Sequence, residues 1–287
     1  MTGRRGAWWW ARVAATAITL AVLVWRLGTT PFLDGLRRVD GAALAAAAGL
    51  GVLTTICCAW RWRVVARGLG LTLPLGSAVA AYYRSLLLNV MLPGGVVGDV
   101  HRGIAHGRDT RDVARGLRAV VWERGAGQVV QLALTIPVLL LLPAPVPAAV
   151  PLGALAVLVV AAGVALARGV RPTRAWPVVA LASAVVVAGH VVTFLVAART
   201  AGVTAPLSEL LPLALLVLAG AALPNVGGWG PREGVTAWAF AAAGLGASLG
   251  VATAVVYGAM AFVAALPGAG VLAATALPER REAVPDA

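Results

Sequence analysis

The residues best suited to chemistry in this sequence are charged groups set beside glycine-rich turns. The first run is Leu92-Pro93-Gly94-Gly95-Val96-Val97-Gly98-Asp99, with Arg102 just beyond it and Arg84 and Asn89 before it. The second is the pair Glu123-Arg124, followed by Gln128 and Gln131. The third is Leu223-Pro224-Asn225-Val226-Gly227-Gly228-Trp229-Gly230-Pro231-Arg232-Glu233. Glycine lets the backbone turn sharply and present N–H groups to an anion. Arginine offers a planar fork matched to phosphate, and a neighbouring carboxylate orients or neutralises it. The chemistry suits a phosphate headgroup, and the candidate binding residues are Arg84, Asn89, Asp99, Arg102, Glu123, Arg124, Asn225, Arg232 and Glu233. A structural role competes with that reading. Asp99 paired with Arg102, and Glu123 with another arginine, would fix helix ends, and Arg232-Glu233 would cap a helix beside an interfacial Trp229.

Other chemistries find less support. His101 and His106 are five residues apart, which does not set two imidazoles on one helix face, so no metal site is expected. His190 stands alone in an apolar stretch and is expected to bond a backbone carbonyl rather than move protons. Tyr82, Tyr83 and Tyr257 could line a cavity or simply pack between helices. Cys57 and Cys58 are adjacent, too close for an ordinary disulfide, and read as small core residues. There is no Gly-x-Ser-x-Gly, P-loop or dinucleotide fingerprint, so the chain is expected not to be an enzyme and to carry no cofactor. An intramembrane lipid-modifying enzyme using Asp99 with His101 or His106 is the remaining enzymatic alternative.

The elements that position these groups follow from composition. The 287 residues are 60% hydrophobic and 12% charged, about half the charged share of a soluble domain. The apolar residues form long runs, apolar on every side, which excludes both an average soluble globule and a β-barrel of alternating strands. The 23 basic residues, all arginine, against 11 acids give a net charge of +12. Because they lie between apolar spans rather than on a soluble module, they speak for membrane topology and anionic lipid, not for nucleic acid. The expected class is an all-α polytopic membrane protein, a single domain over 1–287 with a polar tail at 278–287.

Six full spans are predicted: Trp8 to Trp25, Ala42 to Trp60, Val120 to Leu142, Ala149 to Ala167, Ala175 to Ala198 and Leu249 to Leu277. The last is long enough to tilt or break near Pro267-Gly268. The first reads as a retained signal-anchor, since no small-residue cleavage pattern follows Arg4-Arg5. Leu75 to Leu92 and Leu207 to Leu223 carry polar residues and run into the glycine motifs, so both are predicted to enter and return. That arrangement leaves the N-terminus, the Arg61, Arg63 and Arg67 flank, the Arg102 to Arg118 stretch and the Arg168 to Arg174 loop on one, cytoplasmic, face. The C-terminus is expected there too. The two motifs occupy matching places in halves 1–142 and 149–277, and three spans per half would invert one half against the other.

Together, the Leu92 to Arg102 motif, Glu123-Arg124 and the Pro224 to Glu233 motif resemble three ordered signatures of the lysylphosphatidylglycerol synthase transmembrane-region family, also called the flippase-like domain family. The resemblance implies a multi-pass plasma-membrane protein that translocates or handles an anionic phospholipid or a polyprenyl-phosphate-linked lipid, without the soluble aminoacyl-transfer domain of the synthases. It also implies that Asp99 and Arg102, Glu123 and Arg124, and Arg232 and Glu233 are the functional pairs. The pattern departs from the family at Val97, where a second glycine is common, at Asn225-Val226, where a serine is common, and at Gly258, where an arginine usually follows the tyrosine. A non-transporting membrane partner of a glycosyltransferase or cell-envelope synthase is the competing expectation.

Overall fold

The computed structural model describes residues 3–92, 95–142, 147, 152–153, 155–156, 175–221 and 229–282. Among them the chain is helical: α1 (Gly3–Leu27), α2 (Thr30–Arg38), α3 (Gly41–Gly68), α4 (Leu75–Met91), α5 (Val97–Asp109), α6 (Val113–Leu141), α7 (Trp176–Thr200), α8 (Leu207–Ala221), α9 (Pro231–Ala242), α10 (Ala247–Ala265) and α11 (Pro267–Glu282). Four stretches are long and apolar enough to cross a membrane, namely α3, α6, α7 and Ala247–Thr275. A fifth arises if α1 and α2, bent by 96° at their junction, count as one broken span. Apart from residues 152–153 and 155–156, the predicted span Ala149 to Ala167 lies outside the described residues, as do Asn225 and the Arg168 to Arg174 loop.

Several boundaries differ from the sequence expectation for local reasons. Helix α3 begins at the cap Asp40, whose carboxylate accepts the Ala43 N–H at 2.7 Å, and runs on past Trp60 to Gly68. Arg61, expected on an exposed flank, is therefore carried inside a helix and buried. Helix α6 likewise follows a cap, Asp112, and begins at Val113, seven residues before the predicted span, so Glu123 and Arg124 sit well inside the helix rather than at its mouth. Helix α2 was not foreseen. Pro31 in its first turn starts it, and Gly35 lets it lie against α10 at Ala252 and Val255. The final span is interrupted at Leu266, just before Pro267.

Helices meet through small residues, as expected where lipid supplies no hydrophobic drive between them. Ala43, Ala47, Thr54 and Cys58 are buried small residues on α3, which packs along α7, itself contributing Ala182, Gly189, Thr193 and Ala197; Gly51 faces Ala264 of α10. One apolar core lies around Trp62, Leu71, Tyr82 and Ala119 between α3, α4 and α6. A larger one gathers Phe194, Leu210, Leu213, Phe240 and Met260 from α7, α8, α9 and α10. In the first half α4 pairs with α5 and α5 with α6; in the second, α8 pairs with α9 and α9 with α10. The ends of the chain cross over, with α1 resting on α9 and α11 on α4.

Candidate functional site

Glu123 is the hub of a charge centre built from five helices. Its side chain is wholly buried. Oε1 accepts from Arg61 on α3 through Nε at 2.8 Å and through Nη2, and from the Tyr82 hydroxyl on α4 at 3.1 Å. Oε2 accepts from Arg102 Nη2 on α5 at 2.7 Å. Arg61 Nη1 donates in addition to Ser183 Oγ on α7 at 3.0 Å. The second carboxylate, Asp99, stands in the first turn of α5, where the helix dipole favours an anion. It accepts from Arg102 Nε at 3.0 Å, Asn89 Nδ2 at 3.0 Å, Ser85 Oγ at 3.3 Å and the Arg124 guanidinium.

The glycine motif has a definite task in this assembly. A Cβ at Gly98 would collide with the Ser85 carbonyl, so glycine allows α5 to touch α4. The Gly98 N–H donates to Asn89 Oδ1 at 2.8 Å, which turns the Asn89 amide so that its other end meets Asp99. Val97, the departure from the family pattern, is the first residue of α5 and leaves this approach intact.

Three guanidiniums face two carboxylates in this centre, leaving one net positive charge. The arginines are not equivalent. Arg102 is enclosed: its guanidinium lies 4.6 Å from the Trp62 ring centre and 4.3 Å from that of Tyr82, and its buried Nη1 has no acceptor among the described residues. Arg61 is buried as well. Arg124 is tethered to Asp99 yet has 47% of its side chain exposed. Among the described residues it is the one guanidinium of this centre left open to its surroundings.

A smaller centre stands at the start of α9. Glu233 Oε2 accepts the Gly230 N–H at 2.7 Å, closing the helix end, while Oε1 accepts from Arg232 Nε at 3.0 Å and Nη2 at 2.5 Å. The capping role weighed from sequence is therefore present, together with the ion pair. The Arg232 guanidinium lies 5.7 Å from the Trp229 ring centre and 5.6 Å from that of Tyr257. A Cβ at Gly258 would stand 2.5 Å from Arg232 Nη2, so the glycine found where the family usually has arginine is what makes room for this side chain.

Of the nine residues singled out from sequence, Asn89, Asp99, Arg102, Glu123 and Arg124 come together, and Arg232 pairs with Glu233. Arg84 joins neither group. It is half-buried on α4, its Nε is screened from solvent with no acceptor among the described residues, and it lies within electrostatic reach of His101. Asn225 is outside the described residues. Sequence reading missed Arg61 and Ser183 as partners of Glu123. The signal for Arg61 was its place between Trp60 and Trp62 at the end of the apolar run from Ala42, where an arginine carried into the helix bundle needs a carboxylate. His190 also departs from expectation: its Nδ1 lies 3.3 Å from the Tyr257 hydroxyl, with no backbone carbonyl in that place. His106 packs edge-on against Trp62, and His101 is exposed.

The fold and these centres define a multi-pass helical membrane protein that carries paired charges inside its helix bundle. The model of the lysylphosphatidylglycerol synthase TM region family matches residues 9–175, and the chain belongs to that family. The matched region contains Arg61, Asp99, Arg102, Glu123 and Arg124, while Ser183, His190 and the Arg232-Glu233 pair lie beyond it. No curated protein matches the chain.

Proposed function

We propose that this protein is a lipid-translocase-like plasma-membrane protein that binds and moves an anionic phospholipid or a lipid-linked phosphate by its headgroup. The observation that carries this reading is the surplus positive charge of the Glu123 centre, offered outward by the half-exposed Arg124. A cation held at membrane depth by an acid, rather than neutralised by it, is poised for a phosphate. Glu123, Asp99, Asn89 and Arg102 form the frame that aims it; Arg232, set against Glu233, is the corresponding cation of the second half. The two hairpin-like pairs, α4–α5 and α8–α9, each packed on the following span, support an inverted repeat whose halves rock about the site. The exposed Arg108, Arg111, Arg115 and Arg118 support a cytoplasmic α5–α6 turn, with both termini on the same side. The protein leaves the lipid chemically unchanged and needs no cofactor.

The completeness of the ion pairs around Glu123 favours a second reading, in which the charges only hold helices together and the protein serves as the membrane partner of an envelope-synthesis enzyme. Arg124→Ala and Arg232→Ala separate the two in proteoliposomes carrying a trace of acyl-chain-labelled phosphatidylglycerol. For a translocator, wild type moves the label between leaflets and both variants stay folded but lose at least tenfold in rate. Wild type indistinguishable from empty vesicles, with variants that lose assembly instead, would leave the second reading.

A further inference from the structure

Two polar residues at mid-helix positions, His190 and Tyr257, belong to neither set of ion pairs. His190 is fourteen residues after Trp176 and ten before Thr200 on α7, roughly 20 Å and 15 Å from the helix ends at about 1.5 Å per residue. It is nevertheless exposed. An imidazole directed at hydrocarbon from such a depth would leave one ring nitrogen without a partner, which is costly. The neighbours that the structure gives it are polar: the Tyr257 hydroxyl at 3.3 Å, and Arg61 and Arg124 within electrostatic reach. Tyr257 in turn is buried beneath the Arg232 guanidinium, for which Gly258 leaves room. By contact the line runs His190, Tyr257, Arg232, and the charge of Arg124 acts on His190 from the side of the other centre.

We infer that His190 and Tyr257 contact the phosphate headgroup between its two arginine stations, as a mid-membrane step that binds through hydrogen bonds without a fixed positive charge. This deepens the headgroup reading and rests on it. A path made only of guanidiniums would trap the anion. Two neutral groups between two cations give it a weaker stop from which it can leave in either direction, as conduction through successive sites requires. The tyrosine hydroxyl donates to a phosphate oxygen while the imidazole holds that hydroxyl in place, or donates itself through its free nitrogen.

The test has a transport arm and an accessibility arm. In proteoliposomes with acyl-chain-labelled phosphatidylglycerol, Tyr257→Phe and His190→Ala each slow movement at least tenfold while melting as wild type does, and the double variant is little slower than either single. In nanodiscs, on a Cys57→Ser, Cys58→Ser background, His190→Cys reacts with a membrane-impermeant sulfonated thiol reagent. Leu181→Cys, on the same helix and 64% exposed, does not. Soluble dihexanoyl-phosphatidylglycerol protects His190→Cys, and the phosphatidylcholine analogue does not. Unlabelled His190→Cys, labelling equal to that of Leu181→Cys, or absence of protection overturns the inference even if wild type moves lipid. Labelling with selective protection in a protein that moves no lipid upholds the contact and sinks translocation instead. Wild-type rates for both transport variants also overturn the inference.

Discussion

Replacing Glu123 by glutamine preserves shape and removes one charge, which tests whether the buried centre is a charge balance or merely a packing of long side chains. Glu123 and Arg102 are wholly buried and Arg61 is nearly so, so water cannot compensate for the loss. In the native centre three arginines meet two carboxylates; after the change they meet one, and the surplus rises from one positive charge to two. Breaking a buried pair by neutralising one member costs about 3–5 kcal/mol, because the remaining charge stays desolvated. The expected loss for Glu123→Gln is therefore about 3–5 kcal/mol, measured by reversible unfolding in mixed micelles and followed by tryptophan fluorescence. Adding Arg61→Gln returns the surplus to one charge and should recover at least half of that loss. Glu209→Gln, on an exposed first turn, leaves the transition in place. A Glu123→Gln protein within about 1 kcal/mol of wild type, or a double variant as unstable as the sum of the singles, would refute the charge-balance account.

Other outcomes follow from particular contacts. Gly98→Ala sets a methyl against the Ser85 backbone, which cannot move as a side-chain tip can, and should cost about 3 kcal/mol in the same assay; a neutral result would deny the tight α4–α5 approach. Gly258→Ala meets only the end of Arg232, so the guanidinium swings away, stability falls by about 1 kcal/mol or less, and movement of labelled phosphatidylglycerol drops; undiminished movement would remove Arg232 from the route. Asp40→Ala deletes the cap on the Ala43 N–H and should cost about 1 kcal/mol with no change in lipid movement per folded molecule.

The long spans were legible because transfer of an apolar run into a bilayer is a local, nearly additive property. Ala42 to Trp60 falls within one observed helix, and Val120 to Leu142 and Ala175 to Ala198 each overrun theirs by a single capping residue, for that reason. Their ends were not legible to the same degree. Asp40 and Asp112 cap their helices through side-chain geometry, and an arginine-bearing stretch such as 113–119 continues a helix as readily as it ends one. Glycine motifs beside acids and arginines marked both centres, since those residue types at that spacing have few other uses inside a membrane.

What the sequence alone determined is that the chain enters the bilayer as helices and must bring Asp99, Glu123 and Arg232 to partners there, because hydration energy is a property of each residue type and each run. Only the tertiary structure decided the partners: Arg61 and Glu123 are 62 positions apart, and Arg61 and Ser183 are 122 apart. Which arginine is locked and which stays half-exposed depends on how five helices rotate and cross, and the small residues packed between them set that geometry.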